Sequence, residues 1–372
     1  MLVKSRLLAV GLLGVLAVGG YFTLRAGHAS PAIVEKQVEG PMGPPELTNI
    51  DGLALSSDGH ILATVSDYTV SLWDTTSGKN LLVLQNRDNE SIFAPAFSPD
   101  GSLLATASTA QRYNVEGHLL LWNPATGERL ASVDNLSFPG CVRFNPAGTL
   151  IAVGGLPTLY LVDPSTKQIV RQIDRPHENG AIQAVVFSPS GDLLATGGRD
   201  GTVKLWKLPD LSLVRTFSVS DPRPYVSPSE GGPPRAIVSS LAFAYNVPRL
   251  AAATQGGSVF VWDLGRGKEI VHYDYSAVTA DTDVFKVRNW ASFTSDDKWL
   301  VTTNLSGDGI TLLGAKSKKE VGDLLTLRKH TEMGNLDFSP THGSVAFAYR
   351  VFHPGEPTPP SPKFEIWSLQ LR

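Results

Sequence analysis

The sequence has very little cysteine. Cys141 is the one cysteine among 372 residues. A single cysteine excludes an intrachain disulfide and a cysteine-rich metal site. It does not assign a compartment, because a protein without disulfides is stable in oxidising and in reducing surroundings alike.

An excess of charge of one sign is also missing. The 32 lysines and arginines nearly balance the 35 aspartates and glutamates, which leaves a net charge of −3. A nucleic-acid surface needs a basic stripe, so we predict no nucleic-acid partner. The hydrophobic residues make up 42% of the chain, enough to build a large core and too much for a disordered chain.

Sequence motifs of catalysis are absent as well. The chain has no GxSxG elbow, no HExxH motif and no phosphate-binding loop. Its eight histidines are scattered, without a pair at metal-ligand spacing. We therefore predict no catalytic residues, no metal site and no cofactor.

One long apolar run is present near the N-terminus. It reads "LLAVGLLGVLAVGGYFTL" from Leu7 to Leu24 and follows Lys4 and Arg6. As a helix it would be about 27 Å long, close to the hydrocarbon thickness of a bilayer. We expect residues 1–26 to be a transmembrane signal-anchor that leaves the rest exported, extracytoplasmic or periplasmic. The small residues of "AGHAS" leave open a signal peptide cleaved after Ala29, and hence secretion.

The remainder of the chain repeats one unit seven times. The unit is clearest in "SPSGDLLATGGRDGTVKLW", which begins at Ser188, and each copy predicts four short strands joined by tight turns. The copies align on one residue before the first turn, at intervals of 42, 47, 43, 56, 50 and 45 residues. These residues are Leu55, Phe97, Phe144, Phe187, Phe243, Phe293 and Phe338.

The period, the "SPDG" turns and the Trp-Asp pairs at Trp73 and Trp262 resemble WD-repeat β-propellers. The resemblance implies an all-β, seven-bladed β-propeller of four-stranded antiparallel blades over residues 46–372, behind the N-terminal transmembrane or signal helix. It also implies a protein-interaction platform. Family members often hold a blade together with a chain of four hydrogen-bonding side chains, and the fourth copy has a full set: His177, Thr196, Asp200 and Trp206. We interpret these as structural, and expect the other blades to rely mainly on apolar packing between sheets.

Residues 27–45 are predicted to form a linker and a strand that closes the ring. The seventh copy ends with its third strand, from Lys363 to Leu369, and so lacks an outer strand. The extended segment from Ala32 to Val38 has no other role in the repeats. We predict that these two segments pair, because an unpaired edge would invite aggregation.

Four long insertions point to a binding face. Residues 108–117, 218–235, 274–285 and 350–363 fall in second-to-third-strand or blade-to-blade connections, which share one face of a propeller. Arginine and aromatic residues are common in binding hot spots. The candidate partner-binding residues in these insertions are Arg112, Tyr113, Arg223, Tyr225, Arg235, Tyr275 and Phe352.

Three functions remain open. The first is a membrane-anchored scaffold, or rigid subunit of a membrane-associated assembly, that binds another protein. The second is an exported propeller hydrolase with a site at the channel mouth, built from several blades. Arg143 and Asp337, on the innermost strands, face either that channel or a neighbouring blade. The third is a purely structural role.

Overall fold

The structure is a computed structural model that describes most of the repeat region. The described residues are 32–41, 52–86, 90–109, 116–178, 180–220, 236–274, 290–303, 309–317, 320–326, 331–339, 344–351 and 362–371. Their regular secondary structure is entirely β-strand, which confirms the all-β class. No helix among these residues is long and apolar enough to cross a bilayer. The apolar run from Leu7 to Leu24 lies outside them.

Each of the first six repeats forms one four-stranded antiparallel sheet, here called a blade. The strands are numbered in chain order after β1 (Ala32–Pro41). Blade 1 contains β2 (Gly52–Leu55), β3 (Ile61–Ser66), β4 (Thr69–Asp74) and β5 (Asn80–Gln85). Blade 2 contains β6 (Ser91–Phe97), β7 (Leu104–Thr109), β8 (Glu116–Trp122) and β9 (Arg129–Ser137). Blade 3 contains β10 (Cys141–Phe144), β11 (Ile151–Gly154), β12 (Thr158–Asp163) and β13 (Gln168–Asp174).

Blades 4 to 6 have the same organisation. Blade 4 contains β14 (Ile182–Phe187), β15 (Leu193–Gly198), β16 (Thr202–Lys207) and β17 (Ser212–Ser218). Blade 5 contains β18 (Val238–Phe243), β19 (Arg249–Thr254), β20 (Val259–Asp263) and β21 (Lys268–Tyr273). Blade 6 contains β22 (Ala291–Phe293), β23 (Trp299–Thr303), β24 (Gly309–Gly314) and β25 (Glu320–Thr326).

A further sheet, the closing blade, is built from both ends of the described chain. It contains β26 (Thr331–Ser339), β27 (Ser344–Val351) and β28 (Pro362–Leu371), with β1 as its outer strand. β1 runs antiparallel to β28, from Ala32 opposite Leu371 to Pro41 opposite Lys363. This is the pairing that the sequence predicts. The described strands thus form seven four-stranded sheets, one for each repeat in the sequence.

The hydrophobic cores lie between neighbouring blades. The core between blades 1 and 2 includes Leu72, Leu84, Leu104 and Trp122, all of which are buried. Equivalent cores join blades 2 to 3, 3 to 4, 4 to 5 and 5 to 6, and a smaller one joins blade 1 to the closing blade. A four-stranded sheet cannot bury both faces by itself, so the radial stacking of sheets supplies the burial that stabilises each blade.

The innermost strands surround a central channel. Contacts join neighbouring strands along the series β2, β6, β10, β14, β18 and β22. The first of them, β2, also contacts β26 of the closing blade. The tight turns depend on glycine at positive φ, including Gly59 (φ 68°) and Gly201 (φ 76°). Because adjacent strands in a blade run in opposite directions, first-to-second and third-to-fourth turns lie on one face of the ring. The other connections lie on the opposite face.

Candidate functional site

The strands that flank the four long insertions all meet them at one face of the ring. The connections between β7 and β8 and between β27 and β28 join second to third strands. Those between β17 and β18 and between β21 and β22 join one blade to the next. We call this side the insertion face. The candidate partner residues Arg112, Tyr113, Arg223, Tyr225, Arg235, Tyr275 and Phe352 all lie outside the described residues.

The structure brings together the four hydrogen-bonding residues of blade 4. Trp206 Nε1 donates to Thr196 Oγ1 at 2.9 Å, and Thr196 Oγ1 lies 2.8 Å from His177 Nε2. His177 Nδ1 lies 3.0 Å from Asp200 Oδ1. Since indole only donates and a carboxylate only accepts, the chain runs from Trp206 through Thr196 to His177, whose Nδ1 proton faces Asp200. This fixed order suits a structural connection between strands.

The buried end of this chain carries a negative charge. Burial alone raises the pKa of Asp200, but the hydrogen bonds from His177, Thr202 and the backbone N–H of Glu178 outweigh it and hold the pKa well below its usual value. Asp200 therefore stays ionised and holds the connection between β15 and β16 against the connection that leads from blade 3.

Two other blades contain part of this chain. Trp73 Nε1 donates to Thr64 Oγ1 in blade 1, and Trp122 Nε1 donates to Thr106 Oγ1 in blade 2, both at 2.9 Å. These bonds add to the apolar packing that we expect to be the main interaction in the other blades. The signal was present in the sequence, since the threonine belongs to the same Leu-Ala-Thr tripeptide in all three copies.

Blade 5 shows what replaces the bond when threonine is missing. The corresponding tripeptide is Leu-Ala-Ala, which ends at Ala252. Trp262 instead stacks on Phe217, with ring centroids 4.9 Å apart, and on Phe260 at 5.7 Å. Apolar stacking takes over the role of the hydrogen bond there.

Blade 2 has a second polar cluster at the base of its insertion. His118 Nδ1 lies 2.8 Å from Asp134 Oδ1, and Nε2 lies 3.2 Å from Oε1 of the buried Glu90. Ser108 Oγ donates to the other oxygen of Glu90 at 2.8 Å. Both histidine contacts are hydrogen bonds at once only when the ring carries two protons. Hydrogen bonds from Ser132, and then from His118, lower the pKa of Asp134. Sequence reasoning missed this cluster because its members have no counterpart in the repeat.

The opposite end of the channel contains a small cavity of about 220 Å³. Arg143 and Asp337 both line it, so the structure places the two inner-strand charges at one channel mouth. Asp337 also accepts a hydrogen bond at 2.8 Å from the backbone N–H of Leu55, in blade 1. The aligned aromatics are not uniformly core residues. Phe243 and Phe293 are buried, whereas Phe97 and Phe144 are half-buried and line the cavity.

Tyr245 adds a phenol near this end of the channel. Desolvation raises its pKa to about 12, a hydrogen bond with Ser292 opposes the rise, and the charges of Asp337 and Asp297 add to it. Asp297 also accepts the backbone N–H of Tyr245 at 2.7 Å, which joins blade 6 to blade 5. Tyr245 thus remains neutral at physiological pH.

Within the described residues, no group of three or more His, Cys, Asp or Glu side chains is arranged to hold a metal ion.

Comparison with known proteins agrees with this fold. Residues 46–74 and 168–207 match the family described as "WD domain, G-beta repeat". These two stretches therefore resemble WD repeats, and the four-stranded antiparallel blades are those of a β-propeller. Proteins with WD40 repeats generally act as interaction scaffolds rather than enzymes.

The similarity to curated proteins covers only part of their length. The chain is 26% identical over 223 residues to telomerase protein component 1 of Rattus norvegicus, covering 58% of this chain and 8% of that protein. It is 24% identical over 302 residues to periodic tryptophan protein 2 of Arabidopsis thaliana, covering 77% and 31%. It is 33% identical over 140 residues to small ribosomal subunit protein RACK1y of Oryza sativa subsp. japonica, covering 37% of each. The chain thus spans far less than two thirds of these relatives.

Proposed function

We propose that this protein is a membrane-anchored, exported propeller that binds another protein through its insertion face. It acts there as a scaffold or as a rigid subunit of a membrane-associated assembly. The observation that carries the proposal is the position of the four long insertions between strands that end on one face. Loops held on a rigid scaffold are a usual place for binding residues.

The composition of the insertions supports a protein partner. They contain the arginine and aromatic residues named above, which are the types enriched at binding hot spots. Residues 218–235 and 350–363 are also rich in proline. Proline reduces the conformational freedom that a loop loses on binding, so less of the contact energy is spent on ordering it.

The partner face is tested by replacing insertions. We expect that short Gly-Asp turns in place of residues 218–235 and 350–363 preserve the fold and abolish co-purification of the partner from solubilised membranes. The control replaces the exposed Lys79 and Arg266, in third-to-fourth-strand turns on the opposite face, by alanine. A folded insertion variant that retains its partner would contradict the proposal.

The anchor is a separate part of the proposal, and it is supported by the length and apolarity of the run from Leu7 to Leu24. Alkaline extraction of membranes from cells that express the full chain tests it. We expect the protein to remain in the membrane fraction at its full mass, with the propeller accessible to protease from outside the cytoplasm. A chain released at a mass that begins after Ala29 would show a cleaved signal peptide instead.

A further inference from the structure

The cavity at the channel mouth lies opposite the insertion face and has both a charged and an apolar wall. Its lining comes from blades 1 to 4 and from the closing blade. The apolar part is formed mainly by aromatic and proline side chains, which include Phe97, Phe144, Phe187 and Pro146. Such rigid groups lose little conformational freedom when a ligand packs against them.

Arg143 is the cation of this lining. Its side chain is exposed, and its one hydrogen bond among the described residues goes from Nη1 to the carbonyl oxygen of Val142 at 2.9 Å. A guanidinium has five N–H donors in a planar fork that matches a carboxylate. Because Arg143 is exposed and lines the cavity, its guanidinium is accessible to a ligand at the channel mouth.

Asp337 limits the charge of a ligand. It belongs to β26 of the closing blade, whereas Arg143 belongs to β10 of blade 3. One arginine with one carboxylate in the same lining favours an anion with a single charge over a doubly charged phosphate or a dicarboxylate, because a second negative charge would meet Asp337. The volume of about 220 Å³ is below the range of drug-sized sites and suits one amino-acid-sized group.

We propose that this channel mouth binds a single carboxylate attached to an aromatic or apolar body. Arg143 donates to the carboxylate, and the body packs against the phenylalanines and prolines. The ligand is either a small free acid or the C-terminal residue of a peptide, which present the same chemistry. This site lies on the other face from the proposed partner surface and is independent of it.

Calorimetric titration of the detergent-solubilised full chain with N-acetyl-phenylalanine tests the site. N-acetyl-phenylalaninamide is the matched probe, since it has the same body without the charge. The variants are Arg143→Gln and, as a control, Arg171→Gln. Arg171 also donates to the carbonyl of its preceding residue, but it lies on the outer strand β13.

We expect the amide to bind at least about tenfold more weakly than the acid. Arg143→Gln should weaken binding of the acid by about the same factor, whereas Arg171→Gln should leave its affinity unchanged. Added salt should weaken binding of the acid, because Arg143 is exposed. A peptide that ends in phenylalanine, binding more tightly than the free acid, would identify a chain terminus as the ligand. Equal binding of acid and amide, no effect of Arg143→Gln, or no binding of the acid up to about 10 mM would overturn the proposal.

Discussion

Nε2 of His177 lies 2.8 Å from Oγ1 of Thr196, and this contact joins residues 19 positions apart in the sequence. Both side chains are fully buried. Thr196 at the same time accepts the indole N–H of Trp206 at 2.9 Å. One hydroxyl group therefore satisfies two buried polar groups, one on β16 and one in the connection between blades 3 and 4.

Removal of the Thr196 hydroxyl should lower the free energy of unfolding more than removal of the corresponding hydroxyl in blade 2. Thr196→Val leaves Nε1 of Trp206 and Nε2 of His177 without a partner, at about 1–3 kcal/mol for each buried group. We expect the free energy of unfolding in urea to fall by about 2–5 kcal/mol. Thr106→Val is the matched control, because only Trp122 loses its partner there. Equal losses in the two variants would show that the contact between Thr196 and His177 contributes nothing to stability.

The lowered pKa of Asp200 predicts how the stability of the fold depends on pH in the acid range. Its pKa in the folded protein is lowered, so its contribution to stability is complete above the unfolded value of about 3.9 and is lost as the pH falls below it. Asp200→Asn should therefore reduce the slope of unfolding free energy against pH in the acid range. Substitution of the exposed Asp210 by asparagine is the control. An unchanged slope in Asp200→Asn would contradict the interaction with His177.

Tyr245 should ionise at a higher pH than an ordinary tyrosine. Its pKa of about 12 means that the unfolded chain ionises first, so its contribution to stability is present below pH of about 10 and is lost as the pH rises towards 12. In a titration followed by tyrosinate absorbance, Tyr245→Phe should remove one late-ionising group. Loss of a group that ionises near pH 10 instead would show that neither desolvation nor the charges of Asp337 and Asp297 raise the pKa of this phenol.

The closing blade should depend on β1. Deletion of residues 32–41 exposes the edge of β28, and we expect aggregation and a melting temperature lower by about 10 °C or more, since each kcal/mol corresponds to about 2–4 °C in a large domain. A chain that lacks residues 2–31 but keeps β1 is the control. Equal melting temperatures for the two chains would show that β1 does not stabilise the ring.

Much of this fold is predictable from local patterns. The Asp-Gly turns, the aligned aromatics and the unpaired third strand near Trp367 predict the blades and the pairing of β1 with β28. These features are short-range, or follow from counting strands. The Trp–Thr bonds of blades 1 and 2 were also predictable from the sequence. In both blades the tryptophan of the third strand pairs with the leucine of Leu-Ala-Thr on the second strand.

The cluster around His118 and the channel mouth were not predictable in the same way. Glu90, His118 and Asp134 come from three different parts of blade 2, at positions that differ from those of the other repeats. Arg143 and Asp337 stand out by their inner-strand position, but only the closed ring shows that they line one cavity. Such sites depend on the relative placement of side chains from several strands, which a single sequence does not specify.

The most direct test of the proposed interaction is site-specific photo-crosslinking in cells that express the full chain. A photoreactive amino acid replaces Tyr113, Tyr225 or Phe352 in the insertions, and Lys79 or Arg266 on the opposite face. We predict that the insertion positions give a discrete cross-linked protein and that the two opposite-face positions do not, because only the insertion face contacts the partner. Cross-links from Lys79 or Arg266, with none from the three insertion positions, would contradict the account.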